Sequence, residues 1–78
     1  MEELLTLMAK GLVEEPDAVS VTADEPAEDG TIVLHLRVAA DDMGRVIGKQ
    51  GRIAMALRTV MRAAAVRKDL KVSVEIDD

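Results

Sequence analysis

The sequence predicts an α+β domain of two layers: element order αββααβ, a mixed three-stranded sheet in the order 1-2-3, and three helices on one face. Three observations carry this. Apolar and polar residues alternate in three short segments, the pattern of strands buried on one face. Apolar residues recur every three or four positions in the intervening segments, the pattern of amphipathic helices. The 78 residues suffice for one small domain, which buries only about 60% of the surface of its unfolded chain.

Residues 2–14 read as the first helix. Leu4, Leu5, Met8 and Leu12 recur at helical spacing, and Glu2 and Glu3 sit in the first turn, where the helix dipole favours acids. Pro16 ends it. Val19, Val21 and Ala23 alternate with Ser20 and Thr22, so 18–23 reads as a strand. A polar turn, 24–30, leads to the strongest strand signal at 31–39. There Ile32, Leu34, Leu36 and Val38 point one way, and Thr31, Val33, His35 and Arg37 the other. The short connection makes the two strands an antiparallel hairpin.

Asp41 or Asp42 caps a short helix with Met43, Val46 and Ile47 as its apolar contacts. Gly48-Lys49-Gln50-Gly51 interrupts it, with Gly48 as its left-handed end. A third helix follows from about Arg52 to Arg67, with a buried stripe of Ile53, Leu57, Val60, Met61 and Ala64. Residues 70–77 form the last strand, with Val72, Val74 and Ile76 inward. Strand 2 reaches strand 3 through two helices, the right-handed crossover of parallel neighbours. Strand 2 is the most apolar and belongs in the centre.

Composition alone argues against a nucleic-acid partner. The net charge is −5, and there is no Cys, Trp, Tyr or Phe. Without Cys there is no disulfide framework, thiol nucleophile or Cys-based metal site. Without aromatics there is no stacking platform for bases. The net charge is nevertheless an average of two unlike parts. Residues 1–42 hold two bases against eleven acids, a net −9, whereas 43–78 hold eight bases against four acids, a net +4. From Met43 to Lys68 there are seven bases and no acid. Such asymmetry suggests a polyanion partner or charge-guided self-association, although charge position alone favours the plainer reading, a solvated helix face.

Gly44-Arg45-Val46-Ile47-Gly48-Lys49-Gln50-Gly51-Arg52 lies in this basic stretch. Two glycines flank two polar residues at a helix–helix junction, and the N–H groups opening the next helix suit a phosphate. Lys49 adds a point charge, Gln50 a neutral donor, and Arg45 and Arg52 flanking charge. The alternative is a helix–helix turn that uses glycine for steric reasons only. The basic flanks and the αββααβ order favour the phosphate reading. A Walker A loop is dismissed. The glycine spacing is one residue short, Gln50 stands where Ser or Thr would hold Mg²⁺, and the loop follows a helix.

VIGKQGR at 46–52 in an αββααβ chain resembles a type II KH domain, whose GxxG loop clamps about four nucleotides. The match goes further. Glu15-Pro16-Asp17, the block from Asp42 to Ile53 and Ala63-Ala64-Ala65 are similar to the bacterial KhpA family of small RNA-binding proteins, over essentially the whole chain. The resemblance implies a single KH domain over residues 1–78 that binds single-stranded RNA in the cytoplasm and acts as an RNA chaperone. It also implies homodimers or a heteromer with a larger KhpB protein, and a link to cell elongation and envelope homeostasis. In this reading the RNA backbone sits on Gly48–Gly51. Bases lie against an aliphatic floor drawn from Val46, Ile47, Ile53 and strand 2, a mode that needs no aromatics. About three or four phosphates are neutralised, so one domain binds weakly. The rival reading is a KH-type dimerisation or docking module whose main role is protein–protein interaction.

The remaining residues give no chemistry. His35, the one histidine, faces the open side of strand 2 with no acid beside it in sequence, and reads as an exposed strand residue. The acid pairs Glu2-Glu3, Glu14-Glu15, Asp41-Asp42 and Asp77-Asp78 read as solvated surface, and the methionines as gap-fillers. No enzyme, cofactor, metal or small-molecule substrate is expected. Neither is a membrane, since no apolar run approaches the ~20 residues of a span and Met1-Glu2-Glu3 is no signal peptide.

Overall fold

The computed structural model describes residues 1–77, the Lys49 side chain apart. Helix α1 spans Glu2–Leu12 and a 3-10 turn Pro16–Ala18. Strands β1 (Ser20–Ala23) and β2 (Ile32–Arg37) follow, then α2 (Ala40–Arg67) and β3 (Val72–Ile76). The sheet order is β1-β2-β3, with β1 antiparallel and β3 parallel to β2. The fold is the expected mixed sheet, with α1 packed on β1 and α2 on β3. The strands are shorter than alternation suggested. Residues 16–18 spend their backbone on the 3-10 turn, in which Pro16 O accepts from Val19 N–H.

The two expected helices of the glycine segment appear as one element that cannot be straight. Twenty-eight residues of straight helix run about 42 Å, yet the molecule's longest axis is 35 Å. Gln50 and Gly51 have φ of 64° and 69°, outside the right-handed helix. They divide α2 into an N-terminal arm, 40–49, and a C-terminal arm, 52–67. The C-terminal arm ends by the same device. Asp69 is left-handed (φ 58°), and Ala65 O accepts from both Lys68 and Leu70 N–H, which occupies carbonyls the helix leaves free.

The core is small and free of aromatics: Leu5 and Ala9 of α1, Val19 just before β1, Leu34 and Leu36 of β2, Leu57 and Met61 of α2, and Val74 of β3. Leu34 and Leu36 are fully buried, as their alternation predicts. The stripe of the C-terminal arm is rotated from the expected one. Ala54, Leu57, Met61 and Ala65 are buried, whereas Ile53 and Ala64 are half-buried and Val60 exposed. Leu57 and Met61 join the sheet's Leu34, Leu36 and Val74 in the core, and Ile53 packs against it from the side. Leu12 is likewise exposed. It shares with Leu7, Met8, Gly11, Ala56, Leu57 and Val60 a shallow apolar groove between α1 and the C-terminal arm. Among the described residues no helix is long and apolar enough to cross a membrane.

Candidate nucleic-acid interface

The glycine segment turns where it was expected to, but through different residues. Gly48 is not left-handed; Gln50 and Gly51 are. Gln50 is exposed, and its side chain, unbranched at Cβ, meets the left-handed region with less strain than a β-branched one would. A Cβ added at Gly48 or Gly51 would meet nothing within 4 Å, so the backbone here is open to an approaching group. Beside the turn lies a surface cleft of about 360 Å³ lined by Gly44, Arg45, Gly48, Arg52 and Ile53. Two arginines and two glycines without an acid in the lining make a surface for an anion with backbone access.

The other residues singled out in the sequence divide. Arg52 is exposed, and Ile47 is 49% exposed despite its apolar side chain. Val46 is 1% exposed, so it can support a base-binding floor only from beneath and offers no contact of its own. It faces inward because it lies four residues from Asp42, which is also buried. The side chain of Lys49 lies outside the described residues. Strand 2 cannot line the groove either: both its edges are paired, and Leu34 and Leu36 lie under the helices. The strand with a free edge beside α2 is β3. There Arg58 Nε donates to Val74 O at 3.2 Å, and Arg58 and Arg62 border a depression of about 300 Å³ over residues 72–75.

Asp42 does not cap its own helix. Ala39 holds the N-cap position, with no side-chain cap bond. The Asp42 carboxylate, 2% exposed, instead accepts the N–H groups of Glu14 and Glu15, each at 3.1 Å. This ties the chain leaving α1 to the arm that carries the turn. Arg45 is drawn into the same junction: its Nη2 donates to the Glu14 carboxylate, and its Nε lies 3.8 Å from Asp42. A separation of 27 and 28 residues gives these bonds no local sequence signal.

His35 also has partners that the sequence did not reveal. Nε2 meets Asp24 Oδ2 at 2.8 Å and Nδ1 meets Asp77 Oδ2 at 3.0 Å. Both partners only accept, so the ring satisfies both as imidazolium. The hydrogen bond to Asp24, then that to Asp77, raises its pKa above 6.5. The register explains the meeting. Thr22 and Glu75 pair with His35 from either side, and the two aspartates are the diagonal neighbours two residues further on.

With fold and cleft in place, known proteins supply the family. Residues 2–76 match the model described as the KhpA/KhpB KH domain. The chain belongs to the KhpA/KhpB KH-domain family. Its relatives include proteins named RNA-binding protein KhpA from Clostridium acetobutylicum, 54% identical, and Clostridium perfringens, 51% identical. Each alignment covers 97% of this chain and 99% of the relative. A KH domain is not an enzyme family. Among solved structures the fold resembles Aquifex aeolicus Era bound to GDP and aluminium fluoride, with a TM-score of 0.67 and 20% identity. A second Era structure, in complex with MgGDPNP and nucleotides 1506–1542 of 16S ribosomal RNA, gives 0.58 and 20%. The chain spans 96% of itself but only 28% of each Era chain, so the likeness concerns one domain's fold, here the type II KH fold.

Proposed function

We propose that this KH domain binds single-stranded RNA across the Gly48–Gly51 turn, as an RNA chaperone or post-transcriptional regulator. The observation that carries this is the acid-free cleft of Gly44, Arg45, Gly48, Arg52 and Ile53 beside a backbone turn open to close approach. A phosphate fits the turn, where the C-terminal arm begins and its dipole is positive. Ile47 and Ile53 offer apolar contact to bases, and the free edge of β3 offers backbone groups to base edges. The relatives' name, RNA-binding protein, supports the reading. Partnership with a KhpB-like protein, cytoplasmic action and a role in cell elongation and envelope homeostasis rest on the family resemblance.

The test is the double change Lys49→Asp and Gln50→Asp, which puts two negative charges on the turn. A fluorescent mixed-sequence RNA of about eight nucleotides should bind the parent and not the variant, with both chains equally folded by circular dichroism. Equal binding by both would remove the turn from the site. The second reading, a module that chiefly docks on its own copy or another KH domain, is favoured by the exposed apolar groove between α1 and the C-terminal arm. The two are compatible, because pairing domains pairs weak RNA sites.

A further inference from the structure

Arg45 lines the cleft, but it is not a free cation there. Its Nη2 donates to the carboxylate of Glu14, a residue 74% exposed at the chain's exit from α1. This pairing is built into the fold. The buried Asp42 carboxylate takes the backbone N–H groups of Glu14 and Glu15 and so fixes the segment from which Glu14 reaches Arg45. Arg45 lies one helical turn beyond Asp42 on the same arm, its Nε 3.8 Å from that carboxylate. A carboxylate on a guanidinium has the charge and the hydrogen-bonding geometry of a phosphate on it.

We propose that Glu14 is an affinity-setting residue of the RNA site: its carboxylate occupies Arg45 in place of a phosphate, and RNA must displace it to engage Arg45. This rests on the RNA reading above and adds to it a competitor built into the chain. Glu15 is the internal control. It is the next residue, carries the same charge and is exposed, while its backbone N–H goes to Asp42 and its carboxylate has no ion pair among the described residues.

The exposed pair is weak, so the effect is modest. Glu14→Gln should tighten binding of the eight-nucleotide RNA about two- to five-fold at low salt. The gain should shrink as salt screens the pair. Glu15→Gln should give a smaller gain, from charge at a distance alone. Arg45→Gln should weaken binding, and adding Glu14→Gln to it should restore nothing beyond the Glu15→Gln gain. Fluorescence anisotropy titrations of all five chains read this, with thermal melts to show that each is folded. Equal gains from Glu14→Gln and Glu15→Gln, or a full Glu14→Gln gain without Arg45, overturn the proposal while leaving the RNA site standing. If the folded parent and Glu14→Gln both fail to bind RNA, the RNA reading itself is what fails.

Discussion

His35 shows how a single residue gains a role from register. Its two carboxylate partners lie across three strands' worth of chain: Asp24 just beyond β1, His35 within β2, Asp77 just beyond β3. Only the imidazolium can donate to both. The sign of the pH effect follows from the raised pKa. The folded chain holds the proton more tightly than the unfolded chain, so the stabilisation is complete below pH 6.5 and is lost as pH rises through the higher folded value. Melting temperatures followed from pH 6 upward should show a decline that His35→Asn abolishes. A decline of the same size in the variant would assign it to other groups. Neither this latch nor the Asp42 junction was legible in the sequence, because each joins residues far apart in the chain.

The elements were far more legible, because strand alternation and helical spacing are local. Ile32, Leu34 and Leu36 give β2 its inward face directly. The break in α2 was legible in place and not in detail: glycine is the usual left-handed residue, yet the chain uses Gln50 with Gly51 and leaves Gly48 helical in sign of φ. This separates the roles of the two glycines. Gly51→Ala meets no steric obstacle, since nothing lies within 4 Å of a Cβ there, but must hold φ near 69°. It should cost about 1–2 kcal/mol, which a denaturant titration reads. Gly48→Ala meets neither obstacle, and in a helix alanine is favoured over glycine by up to about 1 kcal/mol. It should raise the melting temperature by several degrees. If RNA approaches the backbone there, the same change should weaken binding about ten-fold, the loss of one charge-assisted hydrogen bond of ~1.5 kcal/mol. A variant both more stable and fully active would place the RNA elsewhere.

The whole molecule leaves apolar surface where a small core can least spare it. Leu7 is 71% exposed and Val60 45%, and with Leu12 and Ala56 they share one groove. Glu2, Glu3, Glu14 and Glu15 lie on or just beyond α1, on one side of that groove. Arg52, Arg58, Arg62 and Arg67 belong to the C-terminal arm, where Arg52 lines the cleft at the turn and Arg58 and Arg62 border β3. A second copy turned by two-fold symmetry would cover both grooves at once. A standard interface takes about 800 Å² per partner, roughly 15% of the 5310 Å² surface of this chain. Sedimentation equilibrium should find a dimer, and Leu7→Glu with Val60→Glu should yield a folded monomer, because both residues already face solvent. These residues do not line the cleft at the turn. The monomer should therefore bind an eight-nucleotide RNA as the parent does and lose affinity only for an RNA long enough to span two sites. A parent that sediments as a monomer at high concentration would leave each domain to bind RNA singly.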